Sequence, residues 1–216
     1  MCIRDSMLTA YESIEKLTKQ NTEIKKSLFI AQIAPVNSEK EAQDFILSVK
    51  KNMRDATHNC SAYRIGIKQI AERSSDDGEP QGTAGHPMLH VLQANNLTNV
   101  VATVTRYFGG IKLGAGGLTR AYSSSLANAL NDSKIIRFTP HQKIILTVNY
   151  TFVGAFENYI KDTDIIVTDR LFTDKVKISL LCLTENSDKH IEFFTNMTSG
   201  TAIIETPSEE YVKLPL

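Results

Sequence analysis

Residues 105–120 read TRYFGGIKLGAGGLTR. Just before and into this stretch, Val100, Val101, Val104 and Tyr107 mark a short buried strand. Residues 118–130 (LTRAYSSSLANAL) then carry small and apolar side chains at helical spacing. The segment is therefore a strand, a glycine loop and a helix. Five of the protein's eleven glycines fall within these 16 residues, and glycine is needed where the backbone takes positive φ or must approach something closely. A glycine loop entering a helix presents free backbone N–H groups at the positive helix end, which is an anion site. Arg106, Lys112 and Arg120 add cationic side chains, with Tyr107 and Phe108 as stacking faces. The blander reading is a tight turn that lets helix and strand pack. Gly109, Gly110, Gly114, Gly116 and Gly117, with three cations and no acid among them, favour ligand contact instead.

Two phosphate loops are excluded. A Walker A loop ends in Gly-Lys-Ser/Thr, whereas Lys112 is followed by Leu113. The dinucleotide pattern of three spaced glycines opening a βαβ unit is not met either.

The chain of 216 residues holds 24 Lys/Arg and 24 Asp/Glu, but unevenly. Residues 1–139 carry 17 basic against 13 acidic side chains, and residues 140–216 carry 7 against 11. Between Glu79 and Asp132 lie 52 residues without a carboxylate, which points to a surface that meets an anion. A hydrophobic fraction of 42% and a charged fraction of 22% exclude disorder, collagen and coiled coil. No apolar run approaches the roughly 20 residues needed to span a bilayer, and no signal-peptide pattern is present, so a cytoplasmic protein without membrane contact is expected. Cys2, Cys60 and Cys182 are too scattered for a disulfide framework or thiolate zinc site; Cys60 and Cys182 are expected as buried thiols. Residues 1–6 (MCIRDS) precede a second methionine, Met7, and are expected to be a non-native or disordered start.

A second block, residues 73–85 (RSSDDGEPQGTAG), brings Asp76, Asp77 and Glu79 into four positions. Clustered carboxylates bind hard cations or act as acid and base; they equally form a solvated turn, with Asp77-Gly78 at its tip. Calcium-loop spacing is absent, so the expectation is an acidic rim beside the basic loop. His86 and His90 stand at i and i+4, a chelating spacing. No glutamate separates them and no third ligand follows, so core or capping roles are expected, with no metal and no cofactor. His58 is either a lone acid–base group or a structurally bonded histidine. Ser123–Ser125 lacks a nucleophile elbow and a histidine partner, so no catalytic residue is assigned.

Periodicity predicts a strand at 27–35 and a helix capped by Asn37 or Ser38 running to about Met53. A strand at 60–70 follows, then a loop at 74–85 and a helix beginning at His86-Pro87. A further strand covers 135–138, and Thr139-Pro140 reads as a boundary. Beyond it the order is strand, helix, strand, strand, helix, strand, the ferredoxin-like βαββαβ plait. The expected fold is α+β, with domains at residues 7–138 and 139–216.

AYRIG at 62–66, RSSDDGEPQGTAGHPML at 73–89 and TRYFGGIKLGAGGLTRAY at 105–122 together resemble the YigZ/IMPACT family, as do KKSLFIA at 25–31 and DATHNCSAYRI at 55–65. The resemblance covers most of residues 22–138, and more loosely the C-terminal half by element order. It implies an N-terminal βα domain of ribosomal-protein type, similar to domain IV of the ribosomal translocase, and a ferredoxin-like C-terminal domain similar to its domain V. It also implies contact with RNA or the ribosome. Eukaryotic members restrain a translation-control kinase by competing for its activator, through chains with an additional N-terminal domain that has no counterpart in this sequence. The motif residues that transfer are Asp76, Asp77, Gly78, Glu79, Pro80, residues 82–85, and Arg106, Tyr107, Gly109, Gly110, Lys112, Gly114, Gly116, Gly117 and Arg120.

The leading expectation is a non-enzymatic, translation-linked protein binding RNA, the ribosome or a translation factor through the basic glycine loop, without sequence-specific DNA binding. Two alternatives stand beside it. One is a phosphate- or nucleotide-handling enzyme, since residues 114–130 superficially resemble the loop and helix of GHMP-type kinases. The other is a pure protein-interaction module.

Overall fold

A computed structural model describes residues 9–215, so the expected non-native start lies outside the described residues. The chain forms two compact units, one from Tyr11–Arg137 and the other chiefly from Phe138–Leu214. Among the described residues no helix is long and apolar enough to cross a membrane.

The first unit runs β1 (Tyr11–Ile14), β2 (Thr18–Ile24), β3 (Ser27–Pro35), α1 (Glu39–Asn52), β4 (His58–Ile65), β5 (Ala71–Ser75), α2 (Gly85–Ala94), β6 (Val100–Tyr107) and α3 (Ala115–Asn131). Five of its strands form an antiparallel sheet in the order β2-β3-β6-β4-β5. Strand alternation decides which layer each side chain joins. Val100, Ala102 and Val104 of β6 pack with Phe29, Ala31 and Ile33 of β3 beneath Met88 and Leu92 of α2 and Leu126 of α3. Val101, one step out of phase, packs with Tyr63, Ile65 and Ala42 in a second core against α1. Arg106 continues the even row, so a cation faces the helical layer in line with apolar neighbours.

Local chemistry explains the boundaries. The Ser38 Oγ accepts the Glu41 N–H at 3.2 Å and the Glu41 carboxylate accepts the Asn37 N–H at 2.8 Å, which fixes the start of α1. The strand predicted at 60–70 spans 58–65 and stops because Gly66 turns at φ 105°, its N–H donating to the Asn99 Oδ1 at 2.9 Å. The residues after it form β5, part of which falls in the segment read as loop. β1 and β2 carry no apolar pattern strong enough to be seen in sequence. β2 (TKQNTEI) is an edge strand held by pairing with β3 from Thr18↔Ile33 to Ile24↔Ser27.

The second unit contains most of β7 (Ile135–Val148), then α4 (Val153–Ile160), β8 (Ile166–Phe172), β9 (Val176–Leu183), α5 (Ser187–Met197), β10 (Ile203–Glu205) and β11 (Glu209–Pro215). β10, β7, β9 and β8 lie in that order with antiparallel neighbours, the strand order of the expected plait. Two strands with a break at Thr139-Pro140 were expected, but β7 is continuous. Its ladder with β9 begins at His141↔Leu183, one residue past the proline, so that ladder never requires the missing N–H. The added β11 also pairs with β7. Ile144, Leu146, Ile178, Leu180, Phe156 and Phe194 form the core, with Cys182 as a fully buried thiol.

One polar network pins this unit. Asp164 accepts from the Leu183 N–H at 2.6 Å, Asn186 Nδ2 at 3.0 Å and His190 Nε2 at 2.9 Å. His190 is buried, and its Nδ1 lies 2.8 Å from the Tyr159 hydroxyl. Burial alone would raise the Asp164 carboxyl, but the bonds from His190, Leu183 and Asn186 outweigh it and hold the group below the ordinary carboxylate range. Asp164→Ala is expected to cost about 1–3 kcal/mol in urea unfolding at neutral pH, the price of stranding those donors. Because the native carboxyl is depressed, its contribution is present above the unfolded pKa and lost as pH falls through the native one. The difference between wild type and variant should therefore shrink in strong acid.

Candidate functional site

Arg106 is set by the sheet register, which pairs it with Phe29 on β3 and with His58 on β4. Its guanidinium carbon lies 5.5 Å from the Phe29 ring centroid and 5.4 Å from that of Phe108. Arg106 Nη1 donates to Glu79 Oε1 at 2.7 Å, and the Tyr122 hydroxyl of α3 donates to the same oxygen at 2.8 Å. The Arg106 and Glu79 side chains are 6% and 3% exposed. Burial, with Cys60 and Glu79 close by, drives the Tyr122 pKa upward, so the phenol stays protonated and donates.

The loop before α2 delivers Glu79 to this position. Asp77 at φ 45° and Gly78 at φ 88° make a tight turn closed by the Glu79 N–H on the Asp76 carbonyl at 2.9 Å. The Asp76 carboxylate accepts the amides of Gly82 at 2.7 Å, Ala84 at 3.0 Å and Gly85 at 2.8 Å, capping α2. Burial would raise that carboxyl, yet the amides of Gly82, Gly85 and Ala84 hold it below its ordinary value. Asp77 takes the Lys50 ammonium at 2.6 Å and the Asn59 amide at 2.7 Å. The Cys60 thiol donates to the Asp76 carbonyl at 2.9 Å, and burial pushes it up to about 12, leaving it unreactive. Asp76 and Asp77 thus hold the turn together, and Glu79 is buried beneath it instead of standing at a rim.

His58 Nδ1 lies 2.9 Å from the Asp77 carbonyl oxygen. A carbonyl only accepts, so Nδ1 carries a proton and donates it there. Nε2 stands 3.8 Å from Glu79 Oε2, beyond hydrogen-bond reach.

These groups line one cavity of about 330 Å³, together with Phe108, Lys112, Gly114 and Ala115. Gly114, at φ 70°, is the N-cap of α3 and offers no side chain to the first-turn amides, and that turn holds no acid. The positive helix end is therefore uncapped where it meets the cavity. Arg106 Nε is buried and has no hydrogen-bond partner among the described residues. Gly117 and Arg120 line a second cavity of about 610 Å³ with Lys25; Leu113 lines both. The predicted anion-binding residues are thus split. Arg106, Lys112 and Gly114 lie on one side of Leu113, Gly117 and Arg120 on the other, and Gly116 is exposed in the first turn of α3.

The remaining predicted residues line neither cavity. The Tyr107 hydroxyl donates to Asp55 at 3.2 Å. Gly109 packs on the backbone of Lys26, where a Cβ would collide with the carbonyl, and Gly110 supplies a positive φ in an exposed turn. His86 and His90 face one another with Nε2 atoms 3.0 Å apart. Among the described residues no group of three or more His, Cys, Asp or Glu could hold a metal. The sequence reading left His58 between an acid–base and a structural role, and gave Tyr122 and Lys25, at the ends of two quoted motifs, no role in the site. Only strand register and helix packing bring them to the loop.

Arg106→Met is expected to destabilise the protein by about 3–5 kcal/mol, because it strands Glu79 in the interior. Arg106→Met combined with Glu79→Leu should recover much of that loss. A double-mutant cycle by urea denaturation checks the coupling.

The chain matches the Impact N-terminal domain over residues 25–130 and a domain of unknown function, DUF1949, over residues 146–201. It is 37% identical to the IMPACT family member YvyE of Bacillus subtilis (strain 168), over 96% of this chain and 95% of that one. It is 38% identical to the IMPACT family member YigZ of Escherichia coli (strain K12), over 66% of this chain and 71% of that protein. A crystal structure titled as that of a hypothetical protein superposes with a TM-score of 0.60 at 28% identity, covering 94% of this chain and 99% of the other. With a relative this similar along nearly its whole length, and the two domains in this order, the chain belongs to the IMPACT family.

Proposed function

We propose that this protein is a translation-linked regulator that binds RNA through the glycine loop at the start of α3. Membership of the IMPACT family supports the translation-regulatory part. The observation that carries the RNA part is the cavity that Arg106, whose Nε is buried and unpartnered among the described residues, lines together with Lys112 and the uncapped α3 terminus. Cationic side chains beside an uncapped helix terminus suit a phosphate oxygen. Lys25 and Arg120 beyond Leu113 give a second cationic position, which suits a backbone with successive phosphates better than a single anion.

A kinase-type reading needs carboxylates free to hold magnesium. Asp77 is already engaged by Lys50 and Asn59, and Glu79 Oε1 by Arg106 and Tyr122. The binding reading is preferred for that reason.

RNA retention should be salt-sensitive and weakly sequence-specific. Lys112→Ala with Arg120→Ala removes two exposed cations without touching either core. The double variant should lose affinity for single-stranded RNA and for ribosomes, with the slope of log K against log salt falling by about one to two. Unchanged retention in the double variant, or retention that survives nuclease treatment of the ribosomal fraction, would replace RNA with a protein partner.

A further inference from the structure

The cavity at α3 offers an acceptor as well as donors. Glu79 Oε1 is shared by Arg106 and Tyr122, while Oε2 makes no hydrogen bond among the described residues and has His58 Nε2 at 3.8 Å. The phosphodiester of a strand has no donor to give this carboxylate oxygen and would be repelled by it. The ligand that satisfies both halves of the cavity carries a phosphate and, close to it, a hydroxyl. Arg106 is 5% exposed, so its unpartnered Nε is a second, independent sign of a missing partner beside the helix terminus. A volume of about 330 Å³ is at the small end of ligand sites, roughly 300–1,000 Å³, and suits one nucleotide. Phe108, 47% exposed at the edge, offers a ring face for a base.

We infer that the cavity is a ribonucleotide subsite that distinguishes RNA from DNA. A phosphate sits between Arg106 Nε, Lys112 and the first amides of α3, the adjacent 2′-hydroxyl donates to Glu79 Oε2, and the base lies against Phe108. This rests on the RNA-binding reading and adds to it the recognition of the sugar. In an RNA strand the 2′-hydroxyl neighbours the 3′-phosphate, so a ribonucleoside 3′-monophosphate is the smallest probe that carries both groups.

The test titrates the full chain with adenosine 3′-monophosphate, 2′-deoxyadenosine 3′-monophosphate and inorganic phosphate, by calorimetry and by the amide resonances of residues 114–117. The ribonucleotide should bind at least tenfold more tightly than the deoxynucleotide, because a site built around a hydroxyl is left with an unpaired acceptor without it. Inorganic phosphate should bind more weakly still. Lys112→Ala should weaken all three ligands, and Phe108→Ala only the two nucleotides. Glu79→Gln should narrow the gap between ribose and deoxyribose; should that variant fail to fold, the two sugars on the wild-type chain carry the test. Equal affinity for both sugars, or no mononucleotide binding at all, overturns the inference. The loss of long-RNA retention in the Lys112→Ala, Arg120→Ala variant is read separately, so failure of the subsite and failure of the RNA-binding reading are distinguishable.

Discussion

A salt bridge buried in an apolar row organises the first unit. Arg106 occupies a position on β6 that strand alternation directs into the helix-covered core, and burying its charge is tolerable only because Glu79 reaches it from the loop before α2. That requirement explains the shape of the loop. Glu79 must enter the interior from a turn, and the turn is held by Asp76 on three amides and by Asp77 on Lys50 and Asn59. The Tyr122 hydroxyl then ties α3 to the same carboxylate. One ion pair thereby couples a strand, a turn and two helices.

The pair also leaves work undone. Glu79 and Arg106 meet through Oε1 and Nη1, Arg106 Nε keeps no hydrogen-bond partner among the described residues, and both side chains line the cavity beside the uncapped terminus of α3. Buried polar atoms in native proteins are nearly always satisfied, so an unpaired guanidinium nitrogen beside an uncapped helix end supports the proposed reading of the cavity. The glycines serve two masters here. Gly109 permits close packing on Lys26, while Gly114 turns the chain into the helix without contributing a cap.

Much of this was legible before folding. The acid-free segment, the strand–glycine loop–helix order and the βαββαβ order of the second half are properties of residue type and spacing, which the backbone obeys locally. The reading failed where pairing, not periodicity, makes the element. β2 is polar and exists because β3 completes it, and β7 passes through Pro140 because its ladder with β9 starts one residue later. The acidic cluster was misplaced for a similar reason. In sequence Asp76, Asp77 and Glu79 are equivalent surface carboxylates; in space the turn at Asp77-Gly78 sends Glu79 inward and leaves the two aspartates as caps and braces.

From the sequence alone came the family resemblance, the α+β class, the two-part organisation and the cationic glycine loop, all of which rest on short-range pattern and composition. Tertiary structure alone decided which cations share a cavity. Lys112 and Arg120 are eight positions apart on one loop and helix, yet Leu113 and the start of α3 place them in different hollows. His58, Glu79 and Tyr122, distant in the chain, meet at Arg106 because sheet register and helix packing are set by long-range burial, which no local spacing encodes.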